Sequence, residues 1–312
     1  MLNIQQNEPL SKHTSFRLGG PARFFVVAET TEAIKEALEW ARQNNQKYFI
    51  LGGGSNVLFP DAGFDGLVIR VAYADIEMSG EEVAAGAGAP LFSLIKKTTE
   101  NGLAGLENLS GIPGTVGGAD CNNAGAYGSS FADFFTGAEI VFPDGRIETA
   151  NKDWMQYDYR ASKMKYWTNG GKPAMLKVFL RLSRGDKEAL NERIKEILLQ
   201  RTKSPKGFSA GCAFKNIKGQ QVGEILERLS FSPDKKNLFL SRQAIPAAWF
   251  IEQAELKGKK IGGAYVAEGH ANYIMNDGAA KSDDVIMLIS YIKQQVQDKF
   301  GVQLEDEVEL VH

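Results

Sequence analysis

The stretch GFSAGCAFKNI, residues 207–217, places Cys212 between a run of small residues and a polar tail. Phe214, Lys215 and Asn216 follow the cysteine almost directly. A thiol has an ordinary pKa of about 8.5, so it is a far stronger acid than an alcohol and can donate a proton to a substrate. A cysteine can equally serve as a small packed residue in the interior. The residues alone leave both interpretations open.

A second pattern that could do chemistry is GGGSN, residues 52–56, which follows the predicted strand KYFIL at 47–51. Successive glycines let backbone N–H groups converge on an anion and tolerate positive φ. The G-x-G-x-x-G spacing of a Rossmann fold is absent, and VLFPDAGF after the loop does not indicate a helix. Taken alone, GGGSN is more typical of a turn than of a phosphate site.

The stretch SGIPGTVGGADCNNAGAYG, residues 110–128, changes that weighting. A long loop inside a compact domain is usually functional or disordered, and the apolar residues in this one argue against disorder. Two glycine-rich loops on one domain could hold both phosphates of a dinucleotide from opposite sides. Ile112, Pro113 and Val116 would then lie against a ring system.

The elements that must position these loops mix helices and strands along the whole chain, which indicates the α+β class. Residues 103–130 are predicted to be irregular, and the domain boundary is placed at Gly185–Asp186, giving domains 1–185 and 186–312. Apolar periodicity predicts the following elements. Helices are expected over 31–43, 187–201, 220–229, 246–255 and 283–300, with another from Pro90 to about Asn101; strands are expected over 24–28, 47–51, 66–71, 177–185, 261–266 and 271–275, with a hairpin over 138–150.

Composition excludes several classes of protein. The chain has 312 residues, 43% of them hydrophobic, and a net charge of −2, which argues against a protein that coats nucleic acid or a membrane surface. No secretion signal and no run of about 18 apolar residues is visible. Cys121 and Cys212 are the only cysteines, which favours a reducing cytoplasm, and no metal-ligand spacing occurs. Cys121 is interpreted as a small buried residue, because nearby Asp120 would raise its pKa.

Six motifs occur in the order found in the UDP-N-acetylenolpyruvoylglucosamine reductases, also called UDP-N-acetylmuramate dehydrogenases. The chain resembles that family from about His13 to Val308, and the six motifs together are specific. They are RLGGPA ending at Ala22, LGGGSNVLF at 51–59, GIPGTVGGADCNNAGAYG at 111–128, YRASKMK at 159–165, SAGCAFKN at 209–216 and LEDEV at 304–308.

The resemblance implies an FAD-binding domain of the vanillyl-alcohol oxidase and p-cresol methylhydroxylase type, followed by a substrate-binding domain. FAD is expected to be non-covalent, because Pro21-Ala22 follows RLGG where related oxidases often carry an attachment histidine. The two glycine-rich loops would contact the flavin pyrophosphate and isoalloxazine. The implied cofactor residues are Gly52, Gly53, Gly54, Ser55, Asn56, Ile112, Pro113, Gly114, Gly117, Gly118, Asn123 and Gly125.

The reaction of that family reduces an enolpyruvyl ether, with NADPH as the source of electrons. Negative charge builds on one carbon and spreads into the carboxylate, so the site needs a cation and a proton donor. The family's catalytic arginine, serine and glutamate correspond to Arg160, Cys212 and Glu307. Cysteine thus stands where many members have serine. Substrate contacts are expected from Lys215 and Asn216, and less strongly from Tyr159 and Lys203.

The chain departs from the family pattern between Ile217 and the segment that starts at Ile245. About 27 residues are inserted at 218–244, and their pattern predicts a packed helix followed by an exposed basic loop with Lys235, Lys236 and Arg242. This loop could close over the uridine diphosphate or be a surface elaboration. Residues 262–276 resemble the second subtype, which lacks the long tyrosine-bearing loop.

Two alternatives remain. One is an FAD-dependent oxidase of the same fold acting on a sugar or hydroxy acid; the other is an inactive module that binds a nucleotide sugar. The expected partner is the small-molecule substrate UDP-N-acetylglucosamine enolpyruvate, without nucleic acid and without a membrane span. A cytoplasmic monomer is expected, with a weak dimer as the alternative.

Overall fold

The computed structural model describes residues 2–168 and 171–311, and the chain contacts divide it into two compact units. Unit 1 comprises the N-terminal residues up to Pro9, Pro21–Gly54 and Gly63–Lys203. Unit 2 comprises Leu10–Gly20, Ser55–Ala62 and the chain from Ser204 onward. Each unit is built around its own cluster of buried apolar side chains.

Helices and strands intermix along the described residues in irregular order, in agreement with the predicted α+β class. The helices are α1 Thr31–Gln43, α2 Leu91–Glu100, α3 Val116–Cys121, α4 Lys152–Met155, α5 Lys187–Arg201, α6 Gln220–Arg228, α7 Pro233–Arg242, α8 Ala247–Gln253 and α9 Ser282–Phe300. The strands are β1 Gln5–Pro9, β2 Pro21–Ala28, β3 Tyr48–Leu51, β4 Val57–Leu58, β5 Phe64–Val71, β6 Ile76–Ser79, β7 Glu82–Gly86, β8 Leu103–Ala104, β9 Gly125–Ala126, β10 Ser129–Ser130, β11 Phe135–Val141, β12 Ile147–Ala150, β13 Ala174–Arg181, β14 Ser183–Arg184, β15 Ile217–Lys218, β16 Ala244–Ile245, β17 Lys260–Ile261, β18 Ala264–Val266, β19 Ile274–Asn276 and β20 Glu309–Leu310.

Unit 1 contains two larger sheets. In the first, β2, β5 and β3 are parallel and β1 pairs antiparallel with β2. Helix α1 connects β2 to β3, and the Thr30 side chain caps its N-terminus by accepting a hydrogen bond from the Ala33 N–H at 3.1 Å. The second sheet is antiparallel, in the order β12-β11-β13-β7-β6. The predicted hairpin at 138–150 is confirmed by the pairing of β11 with β12.

Unit 2 combines short sheets with longer helices. Strands β17, β18 and β19 form an antiparallel sheet, and β4 pairs in parallel with β20. Helix α9 buries Val285, Leu288, Ile292 and Val296 at helical spacing. It ends at Gly301, whose φ of +59° is the left-handed conformation that favours glycine at a helix C-terminus.

The stretch 103–130, predicted to be irregular, contains helix α3 and the 3-10 helix Leu106–Leu109. Gly117 and Gly118 conceal the helix in the sequence, because glycine has low helix propensity. Thr115 compensates by accepting a hydrogen bond from the Gly118 N–H at 3.3 Å, and Val116 is fully buried. Capping and burial therefore outweigh propensity here.

Helix α5 has its predicted bounds, but it belongs to unit 1 rather than to the C-terminal part. It packs against α2 and against Leu106–Leu109, and Ile194 joins the core of unit 1. The contacts therefore divide the chain at Lys203–Ser204 and not at Gly185–Asp186. Periodicity identifies an apolar helix face, but it does not say which partner covers that face.

The inserted segment 218–244 consists of α6 and α7 between the paired strands β15 and β16. The basic part predicted as a loop is helix α7, which begins with Pro233 at its first position, where proline is favoured. Phe239 of α7 is buried, and its ring packs edge-on against Trp249 with centroids 6.1 Å apart. A helix anchored in this way does not support the idea of a mobile cover.

Candidate active site

The glycine-rich loop after β3 lies directly against the second glycine-rich loop. A Cβ atom placed on Gly53 would lie 2.7 Å from the Cα of Gly114, and one on Gly52 would lie 2.7 Å from Thr115 Oγ1. Any side chain at these positions would push the two loops apart. Gly54 adopts a φ of +65°, which few other residues tolerate. The two predicted phosphate-binding loops are therefore neighbouring backbone segments whose contact depends on glycine.

The second loop is fixed to the connection between β7 and α2. The Gly117 N–H donates to the Ala87 carbonyl at 2.8 Å, and a Cβ on Gly117 would lie 2.9 Å from the Cβ of Ala87. Gly117 therefore serves close packing. Gly118, by contrast, meets only its own cap, Thr115 Oγ1, at 3.4 Å.

Two buried polar atoms beside Gly111 lack a hydrogen-bond partner among the described residues. They are Ser110 Oγ and Arg201 Nε. The Arg201 side chain packs so closely on Gly111 that a Cβ there would collide with it. Buried polar atoms are almost always paired, so these two fit a site for a polar ligand next to Ile112 and Pro113. Neither residue stands out in the sequence, because a serine before a loop and an arginine at the end of a helix are ordinary surface features.

Arg160 lies at the tip of a tight hairpin of residues 157–162, here called the arginine hairpin. Its base is closed by two backbone hydrogen bonds of 3.1 Å between Asp158 and Ala161. Arg160 has a φ of +55°, and its Nη2 donates to the Gly125 carbonyl at 2.7 Å. The guanidinium carbon is 5.7 Å from the centre of the Tyr159 ring. The structure thus places both predicted residues of this hairpin next to the second glycine-rich loop.

Asp120, at the end of α3, is fully buried, and its Oδ1 accepts a short hydrogen bond from Tyr157 Oη. Its other oxygen, Oδ2, has no hydrogen-bond partner among the described residues. Burial raises the pKa of Asp120 to about 7, although the hydrogen bond from Tyr157 opposes that rise. Burial also raises the pKa of Tyr157. The carboxyl group is therefore substantially protonated near neutral pH.

Cys212 and Glu307 lie on adjoining extended segments of unit 2. Cys212 forms an antiparallel bridge with Tyr273, and the next residue, Ala213, accepts a hydrogen bond from the Glu307 N–H at 2.8 Å. Phe214 is buried and is held on both backbone groups by the Asn272 side chain. Cys212 is half-buried and is not part of a disulfide. This backbone pairing places Cys212 and Glu307, 95 positions apart in the sequence, on neighbouring segments of unit 2.

The remaining predicted residues make contacts within the chain or lie at its surface. Asn56 Nδ2 donates to the Glu307 carbonyl at 3.0 Å, which ties the end of GGGSN to the LEDEV segment. Asn216 Oδ1 accepts from the Ala247 N–H at 3.1 Å, and Lys215 Nζ lies 3.3 Å from a carboxylate oxygen of Glu305.

Asn123 links two loops: its Nδ2 donates to the Asp158 carbonyl and its Oδ1 accepts from the Ala132 N–H. Lys203 is exposed at the end of unit 1, and Ser55 begins a segment of unit 2.

Within residues 2–168 and 171–311, no group of three or more His, Cys, Asp or Glu side chains is arranged to hold a metal ion. In the same part of the chain, no helix combines the length and the apolar character needed to cross a membrane.

Two family models match separate parts of the chain. Residues 22–151 match the FAD binding domain family, and residues 202–311 match the C-terminal domain of UDP-N-acetylenolpyruvoylglucosamine reductase. The UDP-N-acetylenolpyruvoylglucosamine reductase of Clostridium botulinum is 34% identical to this chain, over 99% of this chain and 92% of its own length. The reductase of Bacillus subtilis is 33% identical, over 99% of this chain and 94% of its own length. The crystal structure of the reductase from Thermus caldophilus superposes with a TM-score of 0.78 at 30% identity, covering all of both chains.

The predicted α+β fold is confirmed, with an FAD-binding domain followed by the C-terminal domain of the reductases. FAD fits the residues present, because two glycine-dependent loops meet beside buried polar atoms of Ser110 and Arg201 that have no hydrogen-bond partner in the described part of the chain. The chain is therefore an FAD-binding oxidoreductase that belongs to the UDP-N-acetylenolpyruvoylglucosamine reductase family.

Proposed function

We propose that the chain reduces the enolpyruvyl group of UDP-N-acetylglucosamine enolpyruvate to give UDP-N-acetylmuramate for peptidoglycan, using NADPH. The observation that carries the proposal is the pairing of the residues after Cys212, Ala213 and Phe214, with the Glu307 segment in unit 2. A residue with an acidic proton and a residue with a carboxylate thereby lie on neighbouring paired segments. A flavin oxidase, which needs no proton donor for its substrate, gives no reason for that pairing.

FAD, when bound, supplies the hydride that adds to the double bond. The glycine-rich loops hold its pyrophosphate through their backbone N–H groups, for which Gly52, Gly53 and Gly114 provide the close approach. Ser110 Oγ and Arg201 Nε, buried beside Gly111, supply hydrogen bonds to polar atoms of the cofactor.

Arg160 stabilises the negative charge that develops on the substrate. Hydride addition leaves an enolate-like carbon whose charge spreads into the carboxylate, and a guanidinium offers a planar fork of donors that matches this group. The Gly125 carbonyl orients the guanidinium by accepting from Nη2. A cation held in advance where charge develops lowers the barrier without reorganisation during the reaction.

Cys212 donates the proton that completes the reduction. The thiol transfers its proton to the enolate carbon, and the resulting thiolate is protonated again from solvent before the next turnover. A positioned general acid typically contributes about 10²–10⁴-fold in rate. Glu307 orients the substrate at that end, directly or through a water molecule.

The substrate's phosphates and carboxylate are contacted by Lys215 and Asn216, with Tyr159 and Lys203 as weaker contributors. Lys215 Nζ is the most buried of these cations, with its side chain 12% exposed. Unit 1, which includes α5, binds FAD, and unit 2 binds most of the substrate. Two cysteines that form no disulfide favour a reducing, cytoplasmic location, and the expected state is a monomer.

The test is an anaerobic experiment with two steps. The purified flavoprotein is bleached with one equivalent of NADPH, and UDP-N-acetylglucosamine enolpyruvate is then added. Rapid return of the oxidised-flavin absorbance is the expected result. If only oxygen restores the colour, the protein is an oxidase; if neither does, it is an inactive nucleotide-sugar-binding module.

A further inference from the structure

The arginine hairpin is joined to the end of α3 and the following loop by four side-chain hydrogen bonds. Tyr157 donates to Asp120, and Ser162 Oγ donates to the Cys121 carbonyl at 2.6 Å. The other two are the bond from Asn123 to Asp158 and that from Arg160 to Gly125. All four span at least 35 residues of sequence and connect the same two segments of unit 1.

The bond between Tyr157 and Asp120 differs from the other three, because both of its side chains can ionise. Apolar side chains of similar size could pack in the same place. Asp120 is fully buried and leaves Oδ2 without a hydrogen-bond partner among the described residues. The ring of Tyr157 packs edge-on against Phe135 with centroids 5.2 Å apart. An apolar pair could fill the same space, so the role of the hydroxyl and the carboxyl is to fix the relative orientation of the two segments through a directed hydrogen bond.

The orientation of the arginine hairpin matters because Arg160 lies at its tip. Arg160 is three residues beyond Tyr157 and holds a left-handed φ of +55°, a conformation that persists only when the surroundings fix it. The hairpin turn is only two residues long, so a shift of Tyr157 at its base is passed to the tip. A displacement of about 1 Å at a catalytic group can slow a reaction about 100-fold.

We propose that Asp120 and Tyr157 are a positioning pair that sets the place of Arg160 for stabilising the enolate. This inference rests on the role given to Arg160 in the proposed function. Tyr157 Oη donates to Asp120 Oδ1, and the directed bond fixes the base of the arginine hairpin against α3. Neither residue touches the substrate; both act through Arg160.

The first experiment separates the two half-reactions of the holoenzyme in Tyr157→Phe. Bleaching by NADPH should keep its wild-type rate, whereas reoxidation by the enolpyruvyl substrate should be about 10- to 100-fold slower. Tyr166→Phe, a change of the same kind at an exposed tyrosine, is the matched control and should leave both rates unchanged. Equal slowing of both steps, or none, would overturn the proposal.

The second experiment asks whether the pair works through Arg160. Arg160→Lys should slow reoxidation, and adding Tyr157→Phe should slow it no further, because the position of the lost guanidinium no longer matters. Independent, multiplying effects would contradict the proposal. Asp120→Asn keeps an acceptor oxygen for Tyr157 and should remain within about twofold of wild type. A loss as large as that of Tyr157→Phe would show that Asp120 is not acting as an acceptor.

Hydrogen exchange of residues 157–162 provides a measurement that does not use activity. Exchange should be faster in Tyr157→Phe than in wild type and unchanged in Tyr166→Phe. If the wild type itself is not reoxidised by the substrate, the proposed function fails. The exchange result then still decides whether the pair fixes the hairpin, and unchanged exchange would refute it.

Discussion

Arg160 and Cys212 are held in place by different means. Cys212 lies in an extended segment whose backbone pairs with Tyr273 on one side and, through its neighbours, with the Glu307 segment on the other. Arg160 lies at the tip of a hairpin that side chains attach to α3. Backbone pairing survives most substitutions, whereas a side-chain bond is lost with one atom. The arginine should therefore be the more fragile of the two.

The largest effect should come from the thiol itself. Cys212→Ala removes the proposed proton donor without disturbing the backbone ladder, and reoxidation of the reduced flavin by substrate should slow about 10²–10⁴-fold. Cys212→Ser should retain most of the rate, because a hydroxyl can donate from the same position. Rapid-mixing absorbance measurements report both rates.

Cys121→Ala is the matched control for that comparison and should react like wild type. If Cys212→Ala turned over at the wild-type rate, the thiol would be a packed residue and the proton would come from elsewhere.

The next effect concerns charge on the arginine side. The pKa of Asp120 is about 7 in the folded chain against an ordinary 3.8, so stability is fully present below pH 3.8 and falls as the pH rises to about 7. At 1.36 kcal/mol for each pH unit, the loss approaches about 4 kcal/mol. Asp120→Asn cannot ionise, so it should be more stable than wild type at pH 8 by up to that amount and similar at pH 4. Urea unfolding at both pH values measures the difference, and parallel pH profiles would contradict the expectation.

A smaller effect is expected where the glycine loops touch. Gly53→Ala places a methyl group against the backbone of Gly114, and overpacking of this kind costs about 1–3 kcal/mol. FAD affinity should fall by roughly 5- to 150-fold, measured by titrating flavin into the cofactor-free protein.

Gly223→Ala is the control for added volume, since nothing lies within 4 Å of that position in α6. It should bind FAD like wild type and be slightly more stable, because alanine is the better helix former. Equal affinities for the two variants would mean that the loop contact does not shape the cofactor site.

The smallest effect tests the backbone side of the comparison. Asn272→Ala removes both hydrogen bonds to the backbone of Phe214 and should lower the free energy of unfolding by about 1–3 kcal/mol. Asn191→Ala, which removes a single exposed bond on α5, should change it by less than about 0.5 kcal/mol. If the ladder alone positions Cys212, the surviving folded Asn272→Ala protein should keep its reoxidation rate.

The sequence predicted the elements that depend on residues close to one another along the chain. Helices α1 and α9 follow from apolar residues at helical spacing, and the β11–β12 hairpin follows from Pro143-Asp144-Gly145. The family motifs located both glycine-rich loops. Helix α3 was missed because its stability comes from the Thr115 cap and from packing, which override its glycines.

Links between distant residues could not be predicted. Tyr157 and Asp120 are 37 positions apart, and Phe214 and Asn272 are 58 apart. Neither pair leaves a periodic signal, because a single hydrogen bond needs only one residue on each side. Ser110 and Arg201 could not be predicted either, because they stand out only through buried polar atoms that have no hydrogen-bond partner among the described residues.

The pairing of strands β15 and β16 affects how the segment between them can be inserted, removed or exchanged. Because Lys218 pairs with Ala244, the polypeptide leaves and re-enters the rest of unit 2 at nearly one point. A segment whose ends meet can be gained, lost or exchanged by a single event without rerouting the chain on either side. The unit of exchange is the whole segment rather than the turn between α6 and α7, because Phe231 in that turn packs on Trp249 with ring centroids 4.8 Å apart.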